Sequence, residues 1–547
     1  GETNANKNLY AINGGEARII GKLTNGDIFA RNRGLISGTG TIAKNLTNES
    51  GIVMPGGAGQ IGVLNVNGTY TQNQNASLHI NFNNQANSDI IATNYDIKGG
   101  NLVYIPLSGE FFKTGQEIKI DFDKLSENGN LDKFTNISVL GTSTLNFKLK
   151  DNNTIEVNVK EGAYIPTGGF TMVGNSLIEI RNSANLSPKY QQFFTELDTT
   201  SNNRKKEILS SVNSKDISRS AGEAATFTGR TLGQQTLPFT TIQSGATKVA
   251  TIAKNSKLAL INSDMTDSMV YDILESYNAA LSKSEILSRV SYSYFKGDDY
   301  NIDTYSVNLG TNKWVSDDVK LGAFLNYSHQ KGDYEFSDIK SELISVGLAG
   351  LKDFGDFNLI ASVDVGMGFN DTSRYILTLS DELKADYKSY FVSTGLGLSK
   401  DFAINDSFVW TPVSMLNYIY SKQDGFEESG GILAKGYKDI SINSLNLSLG
   451  GNIAYNIATQ NNLFATLNGF AFYTRRLNSD SFSSTEYFVD AKNNLWTQTT
   501  KLNTDSVYFG ADANIEKGNK FINFLVSSEI TKDEYSVNTA IRAGIRF

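Results

Sequence analysis

The sequence predicts a β-rich amino-terminal region, a helical linker and a 12-stranded antiparallel transmembrane β-barrel. Three observations lead there. The chain ends in Tyr535-Ser-Val-Asn-Thr-Ala-Ile-Arg-Ala-Gly-Ile-Arg-Phe547, where apolar or neutral side chains alternate without a break against small, polar or basic ones. About twelve such runs fill the carboxy-terminal half, an even number as single-chain bacterial barrels require. No stretch approaches the roughly 18 uninterrupted apolar residues of a spanning helix.

Composition narrows the class. The 547 residues carry a formal net charge of −8, with 25 Tyr, 31 Phe and 49 Gly against 3 Trp and 6 Pro, a bias toward extended strands. Cysteine is absent, which excludes disulfides, thiolate catalysis and Cys-based zinc sites. The mildly acidic balance without basic runs argues against nucleic acid as a partner. The polar start Gly1-Glu-Thr-Asn-Ala-Asn-Lys-Asn is no signal peptide, so the chain reads as a fragment or mature product of a longer precursor.

From Gly1 to about Ile165, short β-like runs are separated by Gly, Asn and Pro-Gly turns, as in Gly34–Ile42, Ile52–Gly57 and Gly62–Gln72. Gly34, Gly51 and Gly68 are evenly spaced, about one coil apart if the region is a parallel β-solenoid. A β-sandwich fits the same spacing. From 166 to 284 the texture turns helical at Pro188–Leu197, Arg204–Leu209 and Ser214–Leu232. The clearest helix spans 266–284: Asp267 can cap it, and Met269, Val270, Ile273, Leu274, Tyr277 and Leu281 recur at helical spacing, with Asp272, Glu275 and Asn278 elsewhere on the wheel.

From about 285 to 547 alternation dominates. Phe357, Leu359, Ala361, Val363, Val365, Met367 and Phe369 share one side of a strand, and Asn358, Ser362, Asp364, Gly366 and Gly368 the other. Asp364 is intolerable against lipid, so its side faces a lumen that small Gly and Ser residues keep open. Short interruptions such as Asp353–Asp356, Ala403–Asp406 and Glu516–Asn519 predict periplasmic turns. Asp371–Lys384, Gln423–Lys438 and Asn478–Lys501 predict external loops. Trp314, Trp410 and Trp496, with Tyr and Phe near strand ends, suit interfacial girdles.

The order of these pieces resembles a type Va (monomeric) autotransporter over nearly the whole chain. Gly38-Thr-Gly-Thr-Ile42, Pro55-Gly56, Gly62–Gly68, Tyr70-Thr-Gln72, Ser88-Asp89 and Gly99–Leu102 look like the last coils of such a passenger, including its folding-seed (autochaperone) segment. Ser220-Ala-Gly-Glu223 departs from the family's Leu-x-Ser-Gly-Glu linker, and about sixty further residues precede the first strand. The resemblance implies a right-handed parallel β-solenoid, passenger over 1–165, a linker over 166–284, a barrel over 285–547, and a helix in the bore. The first choice for that helix is 266–284, with Met269, Ile273, Tyr277, Asn278 and Leu281; the second is 205–232. It also implies an outer-membrane translocator that exports and anchors its own passenger at the cell surface.

On this reading Tyr535, Ile541, Ile545 and Phe547 are the barrel-assembly signal, and Asp364, Asp512, Arg542 and Arg546 are lumenal charges near the helix. The partners are outer-membrane lipid and lipopolysaccharide, the barrel-assembly machinery, periplasmic chaperones, a covalently linked upstream passenger, and a host-cell or bacterial surface receptor; a monomer without cofactor is expected. An outer-membrane pore or adhesin with an extracellular receptor-binding β domain is the alternative. Catalysis finds no support in the sequence. His79 and His329 are the only histidines and no Gly-x-Ser-x-Gly elbow occurs; the resemblance offers Asn278, on the candidate bore helix, for passenger release by cyclisation, and its ordinary reading is a polar residue on a helix surface.

Overall fold

The computed structural model describes residues 2–3, 7–166, 170–224, 284–316, 318–405, 407–458 and 463–547. Two compact units result: Gly1–Asn213 with Leu377–Leu379, and Ser214–Ile376 with Ser380–Phe547.

In the first unit short strands pair in parallel across coils, because each turn of chain returns to the same height with the same register. Leu9 pairs Ile28, Ile28 pairs Leu46, Leu46 pairs Tyr70 and Tyr70 pairs Tyr95. A second sheet runs Ile36, Val53, Leu78, Leu102 in the same way, and these four side chains are wholly buried. The buried apolar side chains of the two sheets form one common core. At the corner Asn48 Nδ2 donates to Gln72 Oε1 (3.1 Å) and Ser77 O (2.9 Å), satisfying polar groups that the core would otherwise strand.

Glycine marks the coils only in part. Gly34 and Gly51 do occupy successive coils, where Ile52 N donates to Gly34 O (2.9 Å) and a Cβ on Gly34 would lie 2.0 Å from Ala11 O. The next coil puts Ala76 in that place, since Ser77 N donates to Gly51 O. Gly68 sits instead in the other sheet, at the register break of the strand Val63–Gln72.

Beyond the coils comes an antiparallel sheet of Glu117–Lys119, Leu145–Leu149 and Thr154–Val159, then helices Thr171–Arg181, Pro188–Thr199 and Asn202–Val212. Ser187 and Ser201 cap the last two by accepting from Tyr190 N and Arg204 N. The region expected to be linker is therefore divided: its first three helices belong to the first unit, and the break falls after Asn213. That break also splits the expected 205–232 helix, which stops at Val212 and resumes over 216–224 in the second unit. Helix 266–284, with Met269, Ile273, Tyr277, Asn278 and Leu281, lies outside the described residues except for Ser284, which opens a strand.

The second unit holds a closed 12-stranded antiparallel barrel. Its first strand, Ser284–Lys296, pairs the last, Tyr535–Arg546, from Glu285↔Arg546 to Lys296↔Tyr535. Glu382–Ser399 pairs both neighbours, Asn358–Tyr375 and Phe408–Gln423, so no edge is left open. Alternation is realised as the sequence predicts: Val363, Val365 and Phe369 are exposed on the wall while Ser362 and Asp364 are buried inside. A charge at the outer position meets lipid, so Val365→Arg is expected to cost about 2–4 kcal/mol of barrel stability. Urea-induced unfolding in vesicles measures it.

Three sequence expectations change. Lumenal glycines do not simply leave space: the cross-strand neighbour fills it, with Phe324 against Gly347, Phe391 against Gly366 and Phe521 against Gly544, each ring within 2.5 Å of where a Cβ would stand. The presumed loops are also largely ordered. Strands extend through Tyr375 and from Glu382, and Phe426–Glu427, Lys435–Tyr437, Ser481–Phe488 and Trp496–Lys501 form a separate four-stranded sheet. Trp496 is buried in that sheet against Phe488 and is no girdle residue, while Trp410 is exposed on the wall as expected.

Candidate functional site

Alternation in the closing strand puts Tyr535, Ile541, Ile545 and Phe547 on the outer wall, all exposed, and Ser536, Asn538, Arg542 and Arg546 inside. Phe547 completes the pairing: its N–H donates to Ser284 O (2.9 Å), and Ser284 N donates to Phe547 O (3.1 Å). The four expected signal residues thus form one apolar stripe beside the seam.

The lumenal charges do not converge on one point. Arg546 donates to Glu516 (2.8 and 3.3 Å) and lies 3.4 Å from Glu285, joining the last strand to the first and to Asp505–Lys517. Lys320 stands 3.7 Å from Glu285, and Asn312 Nδ2 donates to the same carboxylate (2.7 Å). Arg542 faces Arg289 across the seam and places its guanidinium 5.5 Å from the centre of the Phe521 ring. Asp512 accepts from Asn468 (2.9 Å) and Asn523 (2.6 Å), and Asp364 accepts from Ser345 (3.3 Å). Sequence reasoning placed Arg546 in the lumen but gave no lumenal role to Glu285 or Glu516. A strand count placed on a closed circle is the signal that could have joined residue 285 to residue 546.

At the other end of the barrel lies a second cluster. Residues 216–224 begin where Ser214 Oγ accepts from Asp216 N (3.2 Å), and Asp216 Oδ2 accepts from Phe336 N (2.9 Å). Ile217 packs among Phe295, Tyr300, Ile302 and Tyr334, which are the inward positions of their strands. Gly222 packs closely on Phe482 and Leu502, where a Cβ would stand 2.9 Å from Leu502 Cδ2. Around this segment two ion pairs are sealed from solvent: Arg374 with Glu428, bidentate at 2.6 and 2.8 Å, and Lys435 with Glu486 at 3.0 Å. Sequence reasoning missed all four, because they lie in stretches that read as polar loop.

The end of the barrel carrying Glu285 and Phe547 has short turns, such as 354–357 and 518–519; the opposite end carries the four-stranded sheet. Short turns on one side and long insertions on the other are the mark of an outer-membrane barrel. The chain matches the autotransporter β-domain family over residues 288–524, from within the first strand to within the eleventh. The barrel is an autotransporter β-domain. It is therefore an outer-membrane translocator of type V secretion, a transport family whose members export their own passengers.

Among solved structures the translocator is similar to the translocator domain of NalP from Neisseria meningitidis, at 16% identity and TM-score 0.43, covering 55% of this chain and 99% of that one. It is also similar to the transport unit of AIDA-I from Escherichia coli, at 12% identity and TM-score 0.36, covering 54% of this chain and 97% of that one. The β domain of Bordetella BrkA matches at 12% identity and TM-score 0.36, over 48% of this chain and 99% of that one. No curated protein matches. In outer-membrane barrels short turns face the periplasm and longer loops face outward.

Proposed function

We propose that this translocator exports the region ahead of it as a hairpin and holds it at the cell surface. In this reading residues 1–165 are the carboxy-terminal, right-handed β-solenoid coils of the passenger, with 34–105 as the folding seed. The observation that carries the proposal is a pair of parallel sheets in the same chain as a closed barrel. Each coil offers the next a template of unpaired backbone groups and an apolar face, so folding outside makes return unfavourable. No nucleotide hydrolysis is required.

Tyr535, Ile541, Ile545 and Phe547 serve as the assembly signal, read by the barrel-assembly machinery after delivery by periplasmic chaperones. Strand addition suits that step, since backbone pairing supplies affinity and alternate side chains supply register. In this reading Asp364, Asp512, Arg542 and Arg546 are the lumenal charges along the path that the passenger takes. Fusing a reporter ahead of Gly1 behind a signal peptide tests the whole: protease on intact cells is expected to reach the reporter, and deletion of Phe547 to abolish display by removing both terminal seam hydrogen bonds. Undiminished display without Phe547 would overturn the signal assignment, and absence of display in both forms would overturn export.

A further inference from the structure

We propose that the extracellular sheet of the barrel is a latch that grips the exported chain at residues 214–218 and holds the pore shut. Lys435 Nζ donates to Ser214 O (2.9 Å) and to Glu486 Oε2 (3.0 Å). Glu486 Oε2 also accepts from Gln498 Nε2 (3.0 Å), and Glu486 Oε1 accepts from Ser218 Oγ (3.3 Å), whose own oxygen is 2.6 Å from Ser484 Oγ. Both charged residues are 0% exposed.

An ammonium and a carboxylate removed from water cost several kcal/mol each unless every remaining donor and acceptor finds a partner. Here two of those partners, the Ser214 carbonyl and the Ser218 hydroxyl, belong to the segment entering from upstream. Without that segment Lys435 loses an acceptor, Glu486 loses a donor, and both open to water. The ion pair is thus complete only when the chain is seated, which couples seating to the closed arrangement of the sheet. The second buried pair steadies the grip: Glu428 Oε2 accepts from Lys435 N (2.8 Å) while Arg374 holds the same carboxylate.

The closed state follows from geometry at the same place. Ile217 and Ala221 are buried against inward residues of the strand ends, so releasing Ser214 and Ser218 frees the segment to leave the mouth. Polar contacts set the register of the seated chain, and apolar contacts exclude water around it.

The inference rests on the translocator reading, and the experiment separates the two. The full chain carrying Lys435→Met, and separately Glu486→Gln, is purified from outer membranes and studied in planar bilayers at matched barrel content, while reporter display is scored on the same cells. Open time is expected to rise about tenfold or more in each, since every 1.4 kcal/mol taken from the latch is a factor of ten. Because the chain has no cysteine, Ser218→Cys with Ser484→Cys gives an independent check. Copper-phenanthroline with oxygen as oxidant is expected to join the two thiols as a disulfide on intact cells, and the bond to restore closure to the Lys435→Met chain. Wild-type conductance in both charge variants, or no cross-link in displayed protein, overturns the latch. Loss of display in the wild-type background faults export instead.

Discussion

Arg181→Ala is expected to destabilise the first unit by about 3–5 kcal/mol, the scale for removing one partner of a buried charge pair. Arg181 is wholly buried in the helix Thr171–Arg181 and donates to Asp198 Oδ2 (2.9 Å), Tyr164 OH (2.8 Å) and Phe112 O (2.7 Å). Asp198, itself buried, also accepts from Thr144 Oγ1. One guanidinium therefore ties two helices to the turn before the antiparallel sheet and to the loops beside it. Its loss leaves the buried Asp198 carboxylate with the Thr144 and Tyr164 hydroxyls but without its partner guanidinium. Pulse proteolysis of the full chain against urea checks the value, with cleavage products mapped to residues before Asn213. Arg181→Met combined with Asp198→Leu is expected to recover most of the loss, because no unpaired charge then remains. Equal instability in the double variant would show that packing, not charge, dominates.

The second large effect is expected at the seam. Arg546→Ala removes the shared partner of Glu516 and Glu285, leaving the first with Asn514 Nδ2 and the second with Lys320 and Asn312. About 3–5 kcal/mol of barrel stability is at stake, discounted where water in the lumen reaches the pair. The temperature at which the folded band on a semi-native gel converts to the unfolded one is the readout. Arg546→Met with Glu516→Gln should be less unstable than the sum of the single changes, since the two residues are in contact. Strict additivity would mean that the pair contributes nothing beyond its parts.

The barrel was legible in the sequence because a strand between lipid and water has a period of two, and the outer positions in Phe357–Phe369 and Tyr535–Phe547 are apolar or neutral. Closure was legible from the even count of strands. Partners across closure were not, since Glu285 and Arg546 are distant in sequence and only the register of the first strand on the last brings them together. The coils were half legible: Gly34 and Gly51 gave a spacing, but coil length changes after Gly51, so Gly68 misled. Arg374, Lys435, Glu428 and Glu486 looked like ordinary loop charges, because nothing in local sequence distinguishes a solvated ion from a sealed one.

Sequence by itself determined which side of each barrel strand meets lipid and how many strands there are, since those follow from local alternation. Tertiary structure alone decided which charges pair, that three helices after residue 166 join the first unit, and that residues 214–224 are held at the outer end of the barrel. The physical reason is range. Hydrophobic patterning acts through residues two apart, whereas an ion pair acts through space and is specified only once the chain has folded back on itself.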